Sequence, residues 1–89
     1  ADAASAFQAL RQAVTAGPLD ERICELIVIA ALATTGEEDS FKVHARRLRK
    51  LGVASAELNQ AVLVTLGAST TFSQVVAGLV WIEEVFAEP

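Results

Sequence analysis

Glycine-bearing breaks do most to constrain what this chain can fold into. Gly17-Pro18, Gly36, Gly52 and the stretch Gly67–Thr71 leave five short intervals. Each is patterned at the helical period rather than the alternating period of a strand. In the first, Ala3 to Ala16, Phe7, Leu10 and Val14 recur at spacings of three and four. The second runs to Thr35, with Asp20 as its N-cap or first-turn acid. Its Ile23, Leu26, Ile27, Ile29, Ala30, Ala31, Leu32 and Ala33 make it apolar nearly all round, so it is expected to be the central, buried helix. The third spans Glu37 to Leu51, and Gly52 falls at the left-handed position after it, followed by apolar Val53. Ser55 is expected to cap the fourth, with Glu57 in its first turn. There Leu58, Ala61, Val62, Thr65 and Leu66 form one face, widened by Leu63 and Val64. The fifth runs from Thr71 to Phe86. Its predicted core seam is Phe72, Val75, Val76, Leu79, Ile82 and Phe86, with Val80, Trp81 and Val85 off that seam. The pattern predicts an all-α subunit of about five helices, a single domain over residues 1–89.

For 89 residues the chain is rich in apolar side chains, at 53% with a mean hydropathy of +0.43. Part of this is alanine, which helix surfaces tolerate. The remainder exceeds what a small core can hide, since a domain of this size buries only ~60–65% of its unfolded surface. A membrane is not the expected outlet. The longest uncharged stretch, Leu58 to Ile82, is broken by the polar run Gly67 to Gln74, and spanning a bilayer takes about 20 apolar residues. No basic segment followed by an apolar core opens the sequence, so no signal peptide is expected. A single cysteine, Cys24, excludes an internal disulfide and any Cys-x-x-Cys motif, in keeping with a reducing cytoplasm.

The net charge of −4 argues against general nucleic-acid binding. Five of the seven basic residues, Lys42, Arg46, Arg47, Arg49 and Lys50, follow Glu37, Glu38 and Asp39. Acid at the start and base at the end of one helix complements its macrodipole. An acidic partner or an anionic substrate is the alternative use for this basic face.

The one histidine sits on the apolar side of the third helix, because Phe41, His44, Leu48 and Leu51 share a face. Glu37 and Ser40 precede it on that face, seven and four residues earlier. An inward imidazole is a natural general acid or base; a core histidine bonded to a backbone carbonyl is the plainer alternative. Glu25 lies in the most apolar helix, where an unpaired carboxylate is costly. Its candidate partners are His44, Arg11 and Arg22. Cys24 reads as a small buried apolar residue. No Gly-x-Ser-x-Gly motif, phosphate-binding glycine loop or zinc-ligand cluster is present in the sequence.

Leu19-Asp20-Glu21-Arg22, then Glu25-Leu26-Ile27, then His44 and, after seven residues, Gly52-Val53 resemble the carboxymuconolactone decarboxylase-like superfamily, which includes the alkylhydroperoxidase D type. Its redox members carry Glu, eleven residues, Cys-x-x-Cys, three residues and His. Glu25 and His44 fall on the Glu and the His with that spacing kept; the two cysteine positions fall on Glu37 and Ser40. Gly52 to Leu58 resembles the family's glycine turn and helix start. The resemblance implies an alkylhydroperoxidase D-like helical subunit with a central helical hairpin, assembling as a homo-oligomeric trimer or hexamer with its sites near subunit interfaces.

Three functions are compatible with the resemblance. The first is a lyase or isomerase acting on a small organic acid without cofactor or metal. In it His44 is the acid/base, Glu25 orients it or relays its proton, Glu37 or Ser40 positions the substrate, and Arg46 or Arg47 attracts a carboxylate. The second is a non-catalytic oligomeric member of the family. The third, alkylhydroperoxidase activity, is disfavoured by the missing cysteine pair and would depend on Cys24. In each, Trp81, Val80 and Val85 are expected at the subunit interface.

Overall fold

Three of the helix starts, those of the first, second and fifth helices, follow from short polar side chains placed just ahead of the apolar pattern. The computed structural model describes residues 2–89, with helices α1 (Ala3–Thr15), α2 (Glu21–Thr35), α3 (Glu38–Lys50), α4 (Ser55–Leu63) and α5 (Phe72–Ala87). The Asp2 carboxylate accepts from the Ser5 N–H at 2.7 Å, and Asp20 accepts from Ile23 N–H at 3.0 Å. Thr71 and Gln74 form a reciprocal capping box. The start of α4 differs from expectation. Ala54 holds the N-cap position, Ser55 is already helical, and Glu57 reaches back to accept the Ala54 N–H at 3.0 Å.

The end of α3 forms a Schellman turn. Val53 N–H donates to Leu48 C=O and Gly52 N–H to Arg49 C=O, both at 3.0 Å, with Gly52 at φ 83°. Val53 is thereby folded into the core. Between α4 and α5 the chain turns through Thr65–Thr70, tied by the two threonine hydroxyls at 2.8 Å. Thr65 and Leu66 therefore lie beyond α4 rather than on its face. No sheet forms among the described residues; Leu66 and Thr70 make one isolated bridge.

Helices α2 and α3 form the principal hairpin, and α4 and α5 close over it. The core comprises Ile29 and Ala33 of α2, Phe41, Ala45 and Leu48 of α3, Leu58 and Val62 of α4, and Val75, Ile82 and Val85 of α5, together with Val53. Phe41 meets Trp81 edge-on, with ring centroids 5.2 Å apart.

Helix α2 is central but not enclosed: Ile23 and Ile27 face solvent. Helix α5 is rotated from the expected seam. It buries Val75, Gly78, Ile82 and Val85, while Phe72 and Val76 are exposed. Val85 has no exposed surface. It packs inside the subunit and has nothing to offer a partner, which corrects its expected interface role. Val80 is exposed, and Trp81 is half-buried.

The basic side of α3 is largely spent on α5. Lys42 pairs with Glu38 at 3.0 Å and Glu84 at 3.5 Å. Arg46 grips Glu88 in a bidentate fork at 2.8 and 2.9 Å. Arg49 donates to the Val85 carbonyl at 2.9 Å and lies over the Phe86 ring. Helix α1 stands apart, with no buried residue. No helix among the described residues is long and apolar enough to cross a membrane.

Candidate functional site

A carboxylate occupies one end of the innermost line of α2. Glu25, Ile29 and Ala33, four residues apart, are the buried positions of that helix. Helix α3 runs alongside, and the turn between Phe41 and Ala45 carries His44 to the same level. His44 Nδ1 lies 2.5 Å from Glu25 Oε2. The two side chains are 16% and 12% exposed. Of the three partners open to Glu25 in the sequence, the hairpin selects His44. Arg22 instead donates to the Leu51 carbonyl at 3.0 Å, fastening the start of α2 to the end of α3.

Arg47, one turn beyond His44, brings Nη1 to 3.6 Å from the other Glu25 oxygen, Oε1. Its Nη1 is also 3.5 Å from His44 Nδ1. That second approach is not a hydrogen bond: the proton on the inner face of the ring lies between Nδ1 and Glu25, and a guanidinium has no lone pair to accept one. Glu25 thus sits between an imidazole and a guanidinium.

The other ring nitrogen is free. His44 Nε2 makes no hydrogen bond among the described residues. No buried polar side-chain atom among them lacks a partner, so Nε2 reaches accessible space. His44 borders an open cleft of about 480 Å³, walled by Phe7, Leu10, Arg11 and Val14 of α1, Val28 and Leu32 of α2, and Ser40. On the Glu25 side lies a second cavity of about 360 Å³, bordered by Arg11, Gln12, Thr15, Glu21, Cys24 and Arg47. A carboxylate that fixes one edge of an imidazole and leaves the other edge open is the arrangement of a general acid or base.

Of the other predicted site residues, Ser40 lines the His44 cleft and Arg47 the Glu25 cavity. Glu37 is exposed at the N-cap of α3 and borders neither, because the helix start carries it away from the pair. Arg46 is committed to Glu88 and does not face the site. Cys24 is not a core residue. It is half-buried, its thiol 3.7 Å from the Leu19 carbonyl, and it borders the Glu25 cavity. No group of three His, Cys, Asp or Glu side chains is placed to hold a metal ion among the described residues.

The sequence did not reveal the contribution of α1, which supplies one wall of both cavities. The signal was present in its Phe7, Leu10, Val14 stripe, but a stripe alone does not say what it faces.

No curated protein and no solved structure matches this chain. The Carboxymuconolactone decarboxylase family pattern does, over residues 1–84. That match spans every helix but the last turn of α5 and includes both members of the Glu25–His44 pair. With its five helices and α2–α3 hairpin, the chain belongs to the carboxymuconolactone decarboxylase family.

Proposed function

We propose that this protein is a lyase or isomerase of small organic acids in which His44 Nε2 moves the proton. The observation carrying this reading is the 2.5 Å bond from His44 Nδ1 to Glu25, with Nε2 unbonded and accessible on a residue that borders a cleft. Loss of carbon dioxide from an unsaturated acid leaves a carbanion or enolate that must be protonated. Lactone isomerisation takes a proton from one carbon and returns it to another. Both need one group that donates and accepts at the same place. Glu25 fixes the ring and stabilises it when charged, Arg47 neutralises the second Glu25 oxygen, and Ser40 offers a hydroxyl to the substrate.

The test is turnover of unsaturated lactone carboxylates by wild-type protein and His44→Ala. The variant is expected to lose at least about 100-fold in kcat. Equal turnover by the two proteins overturns the role of His44. A non-catalytic member would have His44 packed against carbon with no adjoining space, and the cleft argues against that reading.

The protein is further proposed to act as a homo-oligomer, a trimer or hexamer. Exposed Leu63, Val64, Leu66, Phe72, Val76 and Val80 support this, since α4, α5 and the turn between them leave these side chains in water. Trp81, half-buried beside Val80, is the proposed anchor. Light scattering on the eluting protein is expected to give a multiple of 9.4 kDa; a strict monomer overturns it.

A further inference from the structure

Helix α1 buries no side chain, yet its apolar stripe is turned toward the body of the molecule. Phe7, Leu10 and Val14 share the His44 cleft with Val28 and Leu32 of α2. The three remain 62%, 57% and 61% exposed, so the cleft stands open. Its volume, about 480 Å³, falls within the range of small-molecule sites. Helix α1 is joined to the body through Ala16–Asp20, which contains Gly17-Pro18, and otherwise by sparse contacts.

One cation in this cleft has no partner. Arg22 and Arg49 donate to backbone carbonyls, Arg46 holds Glu88, and Arg47 approaches Glu25. The Arg11 guanidinium makes no ion pair or hydrogen bond among the described residues, although it borders both cavities. An unengaged guanidinium at the edge of an apolar wall suits a planar anion on a hydrocarbon body.

We propose that the cleft binds a small monoanionic molecule with an apolar body, its anion on Arg11 and its body beneath Phe7, Leu10 and Val14, and that α1 closes over it as a lid. This rests on the acid/base reading and names the ligand class for the same site. Phe7, Leu10 and Val14 keep more than half of their surface in water. An apolar body takes both walls out of water together, so the closed position of α1 is favoured only with ligand present.

The experiment titrates octanoate into the full chain by calorimetry and follows amide exchange. Saturable binding is expected, with exchange in α1 slowed at least about tenfold. Arg11→Ala and Leu10→Ser should each weaken octanoate binding; for Arg11→Ala the loss should be about tenfold or more. Both positions lie outside the core, so both variants stay folded. Octanol, without the anion, should bind more weakly than octanoate, and acetate, without the body, should not slow exchange in α1. Absence of saturable octanoate binding, or equal affinity in Arg11→Ala, overturns the ligand class. Binding without slowed exchange overturns the lid. Protection of α1 in ligand-free protein that rises with protein concentration also overturns it, since a second copy then covers the stripe. His44→Gln should bind octanoate yet lose turnover. Failed octanoate binding beside His44-dependent turnover therefore removes only the ligand class, and binding with His44-independent turnover removes only the acid/base reading.

Discussion

Glu25 and His44 lie nineteen positions apart on different helices, and their side chains meet at 2.5 Å inside the α2–α3 hairpin. Removing Glu25 leaves the half-buried His44 Nδ1 without its carboxylate. Glu25→Ala is expected to lower unfolding free energy by about 1–3 kcal/mol, read from urea denaturation. The double replacement Glu25→Leu with His44→Phe is expected to be at least as stable as wild type, because an apolar pair avoids the desolvation of charge. A stable but inactive double variant would mark the pair as kept for its chemistry. A double variant weaker than Glu25→Ala would mark it as a structural tie.

Gly78 lets α5 approach its neighbours closely. A Cβ there would stand 3.1 Å from Val62 Cγ1 and 3.8 Å from Ala33 Cβ. Val62 is fully buried and, being β-branched, has little rotamer freedom to yield. Alanine in a helix interior gains up to about 1 kcal/mol over glycine, whereas overpacking costs about 1–3 kcal/mol. Gly78→Ala is thus expected to destabilise. Combined with Val62→Ala, which makes room, the Gly78→Ala change should reverse sign, giving a clear coupling in a double-mutant cycle.

Phe41 is the largest of the fully buried side chains and the ring against which Trp81 packs edge-on. Phe41→Ala is expected to cost about 3–5 kcal/mol, a large part of the stability of a small domain. Phe41→Leu keeps more of the volume and should cost less. Trp81 is the only tryptophan, so its emission reports the loosening directly. A blue-shifted, unaltered Trp81 spectrum in Phe41→Ala would contradict the packing described.

The fork from Arg46 holds the Glu88 carboxyl below the usual carboxylate range through its hydrogen bonds. A depressed carboxylate contributes stability that is present above the unfolded range and lost as pH falls through the folded value. The pair is substantially exposed, so the loss is confined to the last turn of α5 and does not unfold the chain. Protection factors at residues 84–87 should fall on acidification in wild type. In Glu88→Gln they should be low at neutral pH already; wild-type protection there would refute the clamp.

The five helices, the glycine turn after α3 and the inward placement of His44 were legible because each depends on spacing within one segment. The face of α5 was not. Phe72, Val76, Leu79 and Phe86 are as apolar as Val75, Ile82 and Val85, and the polar residues Ser73, Gln74, Glu83 and Glu84 sit only near the ends, so nothing polar orients the stretch from Val75 to Ile82. Close approach to Val62 and Ala33 decided the matter by selecting the face that contains Gly78. The same holds for charge. Arg46 and Lys42 looked available for a ligand, and only the packing of α3 against α5 gave them Glu88 and Glu84. Glu25 and His44 were identifiable as candidates, but their contact, like the Arg11 wall, exists only once separate helices are docked.

Because α1 supplies walls but no core residue, the selectivity of the cleft and the durability of the fold are written in different parts of the chain. Substitutions at positions 7, 10, 11 and 14 can change which molecules are admitted while the four-helix body stays as it is. On the proposed reading, the thirteen-residue first helix can be retuned toward new ligands without spare stability, while the Glu25–His44 pair on α2 and α3 is untouched.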